Sequence, residues 1–191
     1  QEELEALEKS ALGGLELVSA ALARTLEAVE HQDVELAQLV IADDDRIDGR
    51  YLEVHQALIT LLATQAPVAT DLRLISALLH VLKNVERMGD QCVNVCKLIP
   101  LTGNEPPADE EMVRLILAMG AQAGALIAQS KRSFEERNVE MARDLVRRDD
   151  AVDDLNRECF SLALELGDDP DMREWAMTML LAARAIERIG D

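Results

Sequence analysis

The chain is predicted to be all-α, built as two similar antiparallel three-helix bundles in tandem. Three observations predict this. Apolar residues recur every three to four positions along most of the length. No segment sustains the alternation of a strand. The phrase Glu86-Arg87-Met88-Gly89-Asp90 returns as Glu187-Arg188-Ile189-Gly190-Asp191, 101 positions later in a chain of 191 residues, as a unit written twice would produce.

The elements follow in order. Residues 4–30 carry apolar side chains at 4, 7, 12, 15, 18, 22, 26 and 29, one helical stripe. Asp33 is placed to cap a second helix, whose apolar side runs through Leu36, Leu39, Val40, Ile47, Leu58 and Leu61. Pro67 closes that helix or opens the next. A third helix is expected from about Asp71 to Ile99, through Leu72, Ile75, Leu79, Leu82 and Val93. Pro100, Gly103, Asn104, Pro106 and Pro107 then cluster, the strongest break in the chain. It sets the expected domains at 1–101 and 102–191. The second half repeats the plan. One helix is expected from about Asp109 to Arg137, and a second from Asn138 to near Gly167. Gly167-Asp168-Asp169-Pro170 makes a turn, and a third helix starts at about Asp171. Long helices joined by short links run antiparallel to their neighbours.

Composition narrows the function. The formal charge is −18 and aromatics make up 2 % of residues. Both argue against nucleic acid, which wants basic contacts and stacking platforms, and the charge argues against anionic membranes. It fits cations or basic protein patches. The three cysteines lack zinc spacing and read as reduced, buried, small apolar residues. No signal peptide and no apolar run of membrane-spanning length are read, so a cytoplasmic protein is expected. The chain begins without Met and reads as a trimmed product. No catalytic triad, phosphate loop or dinucleotide turn is present, and a non-enzyme is expected. A helical di-iron oxidase would want Glu-x-x-His on two helices, and neither is here.

The chemistry lies in carboxylates at i and i+4. Glu86 with Asp90 and Glu187 with Asp191 each point to one side of a helix. Upstream, Asp44 pairs with Asp48 and Asp149 with Asp153, 105 positions apart. Folding the second helix back on the third at Pro67 places one pair about 20 residues before the turn and the other about 22 after it, nearly level at about 1.5 Å per residue. The second half gives about 17 and 21 on the same rise. A walk of alternating three and four steps through the apolar positions lands on Asp44 and Glu86, so both fall on the buried seam. Two carboxylates ~4 Å apart repel by about 4 kcal/mol at an effective dielectric of ~20. Arg87 and Arg188 follow their Glu by one residue and face elsewhere. A bound cation is the better compensation. Gly89 and Gly190 cost about 1 kcal/mol each against Ala, which suggests a close approach to the backbone at both places. Oxygen donors without nearby His favour magnesium, calcium, manganese or iron, with zinc less favoured. Asn94, one turn past Asp90, would extend the first site.

Pro67, Asp71-Leu72-Arg73, Glu86-Arg87-x-Gly89-Asp90 and Asn94 together resemble the signature helix of the phosphate-uptake regulator (PhoU) family. The second half repeats the signature with a looser lead-in, Asp171-Met172-Arg173. The resemblance covers the whole chain. It implies a metal-binding adaptor that represses phosphate uptake and the phosphate-starvation response. Its implied partners are the ATPase subunit of a phosphate ABC transporter, a phosphate sensor histidine kinase, and a second copy in a homodimer. Membrane association would come only through those proteins. It carries metal roles onto Asp44, Asp48, Glu86, Asp90, Asp149, Asp153, Glu187 and Asp191, for iron, manganese, magnesium or zinc. It also implies an Asn-containing continuation after Asp191, so the second site is expected to be incomplete in this chain. The rival expectations are a metal-free helical module with an acidic docking face, the cytosolic regulatory domain of another phosphate transporter, and a carboxylate-bridged metal enzyme.

Overall fold

Every stripe is helical, though one is split into two helices, and several of the helix ends are set by local chemistry. The computed structural model describes residues 2–103 and 108–191, so Asn104, Pro106 and Pro107 of the expected break lie outside the described residues. The elements are α1 (Glu2–His31), α2 (Val34–Asp43), α3 (Asp45–Gln65), α4 (Ala69–Leu98), α5 (Glu110–Glu135), α6 (Val139–Leu166) and α7 (Pro170–Gly190). A short 3₁₀ turn, Ile99–Thr102, follows α4 and contains Pro100.

The same turn occurs twice. Gln32 and Arg137 both take left-handed backbone, at φ 54° and 52°. The next residue donates its N–H back into the preceding helix, Asp33 to the Ala28 carbonyl and Asn138 to the Ser133 carbonyl, each at 2.9 Å. Each next residue then caps the following helix. Asp33 Oδ1 accepts from the Leu36 N–H at 2.9 Å, and Asn138 Oδ1 from the Met141 N–H at 3.0 Å. A left-handed exit followed at once by an N-cap reverses the chain within three residues. Asp109 caps α5 through Met112, and Asp169 caps α7 ahead of Pro170 at its first turn.

Two expectations need correction. The second helix of the first half is interrupted at Asp44, whose carbonyl accepts from both the Ile47 N–H (2.8 Å) and the Asp48 N–H (3.1 Å). Asp43-Asp44-Asp45 has weak helix propensity, and Asp side chains compete for backbone donors. Second, α5 is long and apolar enough, by length and composition, to cross a membrane. Its small residues raise its hydropathy, but it packs against α1, α6 and α7 and turns Met112, Ile116, Met119 and Ala123 into the core.

The two halves lie side by side, with α1 on α5 and α4 on α7. One apolar cluster runs through both. It joins Val18, Leu22 and Val95 to Met112, Ile116, Val152, Trp175 and Ile186. Ala176, Ala182 and Ala183 are buried at this contact and let α7 approach closely. A second cluster belongs mainly to the first half, with Leu4, Val54, Leu58, Ile75, Leu78 and Leu82 at its centre. Ion pairs join the halves at the surface, Lys131 to Glu16 at 2.9 Å and Arg137 to Glu8 at 2.7 Å.

The shared cluster predicts that the halves unfold as one unit. Leu82→Ala empties a fully buried site in the first half and is expected to cost about 2–5 kcal/mol. Urea unfolding followed by Trp175 fluorescence, in the second half, should shift together with far-ultraviolet circular dichroism. An unshifted Trp175 transition would show that the halves unfold separately.

Candidate metal centre

Two helix pairs carry the acids. Asp44, at the α2–α3 junction, and Asp48 on α3 face Glu86 and Asp90 on α4. Asp149 and Asp153 on α6 face Glu187 and Asp191 at the end of α7. The expected level placement holds in both halves, and the glycines show it. A Cβ on Gly89 would sit 2.8 Å from Asp44 Oδ1, and a Cβ on Gly190 would sit 3.0 Å from Asp149 Oδ1. The close approach expected at these glycines is therefore made by a carboxylate from the partner helix. Ile47 fills the rest of the first contact, and Leu126 and Val152 share the rest of the second.

Burial divides each set into inner and outer members. Asp44, Glu86, Asp149 and Asp153 are half-buried, Glu187 is buried, and Asp48, Asp90 and Asp191 are exposed. Asn94 is exposed, one turn beyond Asp90. Leu72, expected on the apolar side of α4, is 48 % exposed and lies outside the seam.

The electrostatics are those of crowded anions. Burial pushes the Asp44 carboxyl up to about 6, and the charges of Asp48, Asp90, Asp45 and Glu86 push the same way. Burial also raises Glu86, helped by Asp90 and Asp48 and opposed by Lys83 and Arg87. In the second set burial raises Asp149, with Asp153, Asp191 and Asp150 adding to it. Glu187 is raised by burial and by Asp191, against the pull of Arg184. Each acid therefore senses acids on the facing helix as well as on its own. As they stand, no three His, Cys, Asp or Glu side chains converge tightly enough among the described residues to hold an ion. Uncompensated like charges spread apart, and a cation would draw them in.

The second set contains an unsatisfied group. Glu187 is 6 % exposed, and its Oε2 is buried without a hydrogen-bond partner among the described residues. A buried carboxylate oxygen without a donor is costly and calls for a proton or a cation. The carboxylate donors, the glycine cradles and this open oxygen together fit a hard or borderline metal ion. All three cysteines are buried free thiols, as expected. Cys92, which lies near the first set, is pushed up to about 12 by burial and so offers a thiol rather than a thiolate ligand.

The sequence reading missed Arg24, Arg157 and Arg184, which flank these sets. Arg24 on α1 pairs with Asp43, next to Asp44, at 2.5 Å. At the matching positions of the second half, Gln129 on α5 accepts from Arg148, next to Asp149. The same tie recurs with its polarity reversed. Arg184 pairs with Glu187, and Arg157 approaches Asp153 at 3.8 Å. Their i, i+3 and i, i+4 spacings were the available signals. Arg87 and Arg188 form no ion pair with the seam acids among the described residues, and they line a cleft that Asp149 and Asp191 also border.

The raised Asp44 carboxyl gives a pH signature for metal-free protein. The folded state holds this proton more tightly than the unfolded chain. Its contribution to stability is fully present below the ordinary aspartate value and is lost as pH rises through about 6. The melting temperature of chelator-treated protein should fall between pH 5 and pH 7.5 by a few degrees. Asp44→Asn should flatten that fall and raise the melting temperature at the upper end. An identical pH profile in the variant would contradict this.

Comparison with known proteins agrees with the fold. The family model described as the PhoU domain matches twice, over residues 15–99 and 116–191. A phosphate-specific transport system accessory protein PhoU homolog of Clostridium acetobutylicum is 34 % identical over 168 residues, spanning 87 % of this chain and 76 % of that protein. The crystal structure of PhoU from Pseudomonas aeruginosa superposes with a TM-score of 0.91 at 25 % identity, over all of this chain and 91 % of that one. The phosphate transport system regulatory protein PhoU from Streptococcus pneumoniae gives 0.90 at 25 % identity, over 99 % and 88 %. These relatives are named as accessory and regulatory proteins rather than enzymes, in line with the sequence expectation. Two matched repeats, a third of the residues shared with a relative over most of both chains, and one architecture make this chain a member of the PhoU family.

Proposed function

We propose that this chain is a metal-binding accessory regulator of phosphate transport. It acts in the cytoplasm by protein contacts and dampens phosphate uptake and the starvation response. The phosphate link is supported by the names of its relatives. The metal reading is carried by one repeated observation, the glycine cradle beneath Asp44 and again beneath Asp149. Two such glycines, each set against the partner helix's acid, keep that acid on the seam where a cation would be gripped. The first site would be held by Asp44, Asp48, Glu86 and Asp90 with Asn94 at its edge, and the second by Asp149, Asp153, Glu187 and Asp191. A bound ion would neutralise the seam and pin each helix pair. The pinned surface would then meet a transporter ATPase subunit and a sensor kinase, alone or as a homodimer. Iron, manganese, magnesium and zinc are the candidate ions.

A metal-free docking module is the second reading, since no three acid side chains converge on one ion-sized point among the described residues. Metal analysis separates the two. Protein purified without chelator should carry stoichiometric metal, and Ala at Asp44, Glu86, Asp149 and Glu187 together should abolish it. Gly89→Ala should leave the fold intact, since the added methyl gains about 1 kcal/mol of helix propensity and meets mainly side-chain tips. It should nevertheless lower metal affinity at the first site more than tenfold by displacing Asp44. Binding to the purified ATPase subunit and kinase should weaken with chelator. Binding that is lost with salt but untouched by chelator, in protein that takes up none of the four ions, would establish the docking module instead.

A further inference from the structure

The two carboxylate sets stand on one repeated plan, yet they differ in which of their own acids have a basic partner. On α7, Arg184 Nη1 donates to Glu187 Oε1 at 2.5 Å. The remaining oxygen of Glu187 has no partner among the described residues. In the first half the position of Arg184 is taken by Lys83, 101 residues earlier. Among the described residues Glu86 forms no ion pair, so Lys83 lowers its charge burden only from a distance. The second set also has Arg157 within 3.8 Å of Asp153, while Asp48 and Asp90 have no basic partner within that range among the described residues. The second set's acids thus have basic partners of their own, whereas among the described residues the four acids of the first set have none.

We propose that Arg184 is an internal cation that competes with metal for Glu187, so that the first site fills before the second. The inference rests on the metal reading above and adds an order of loading to it. The geometry suits competition. The Arg184 side chain is 55 % exposed and the Glu187 side chain 8 %. The guanidinium can swing into water on its long stem, and the buried carboxylate cannot follow. The pair is one-pronged, which leaves the buried Oε2 unpartnered, and a metal ion that reached it would weaken the hold on Oε1. Lysine cannot substitute at this post with equal effect. Its ammonium is compact and strongly hydrated and lacks the fork that grips a carboxylate. The chain would therefore report two metal concentrations rather than one.

The test is a calorimetric titration of chelator-stripped full chain with manganese, paired with melting curves. The parent should show two classes of site at least tenfold apart in affinity. The tight class should vanish in Glu86→Gln and the weak class in Glu187→Gln. Arg184→Met should tighten the weak class about tenfold, equivalent to about 1.4 kcal/mol, and leave the tight class alone. The reciprocal Lys83→Arg, at an exposed position, should weaken the tight class and decides the matter if Arg184→Met fails to fold. Manganese binding with equal affinity at both sites, or with classes that neither variant moves, would overturn the competition and leave the metal reading intact. No manganese binding in the parent would overturn both.

Discussion

Mutual repulsion among carboxylates on a packed seam is the constraint from which the rest of this molecule follows. Seams between helices are ordinarily apolar, because burial of apolar surface is what holds helix pairs together. Here Asp44 and Glu86, and Asp149 and Glu187, occupy positions where the stripe calls for Leu or Ile. Burial makes each harder to ionise, and the neighbouring acids add to that. The fold accommodates them with small, repeated local choices. A glycine faces the inner aspartate in both halves. In the first half, the helix also loosens at Asp44 itself. Arg24 and Gln129 tie down the residue just before each inner aspartate. Each choice costs local stability or fixes position, and none of them serves packing alone.

The duplication explains how one chain comes to hold two such seams, and the shared core explains why they do not act as separate bodies. α1 and α4 of the first half present small and aliphatic side chains to α5 and α7 of the second, and the buried cluster passes between them without a break. A change in the spacing of one helix pair would meet side chains held by the other. If the seams bind metal as proposed, this contact is the physical route by which occupancy at one would reach the opposite half.

Much of this was legible in the sequence because it rests on local rules. The cap at Asp33 was visible as a side chain placed ahead of an apolar stripe, and it accepts the expected hydrogen bond; Asp109 and Asn138, expected as helix starts, cap theirs as well. The level placement of the acid pairs needed only the helical rise and the site of the turn. Other features were hidden because they depend on tertiary neighbours. The interruption at Asp44 is set by three adjacent aspartates on a seam, with no Pro or Gly to mark it. Leu72 follows the stripe but lies near the open end of α4, beyond the reach of its partner. The apolar surplus of α5 reads as membrane-compatible in isolation, and it becomes core once α1, α6 and α7 surround it. Arg184 was present at i, i+3 spacing, but its weight comes from the burial of Glu187, which sequence does not display.

Anomalous diffraction from crystals of the full chain soaked in manganese tests the central claim most directly, because it locates an ion without relying on stability or binding. The account predicts density between α3 and α4, with oxygens of Asp44, Asp48, Glu86 and Asp90 drawn within about 2.0–2.3 Å of it, and weaker density between α6 and α7. Carboxylates still spread apart with no anomalous peak on either seam, in crystals that diffract well after soaking, would contradict it.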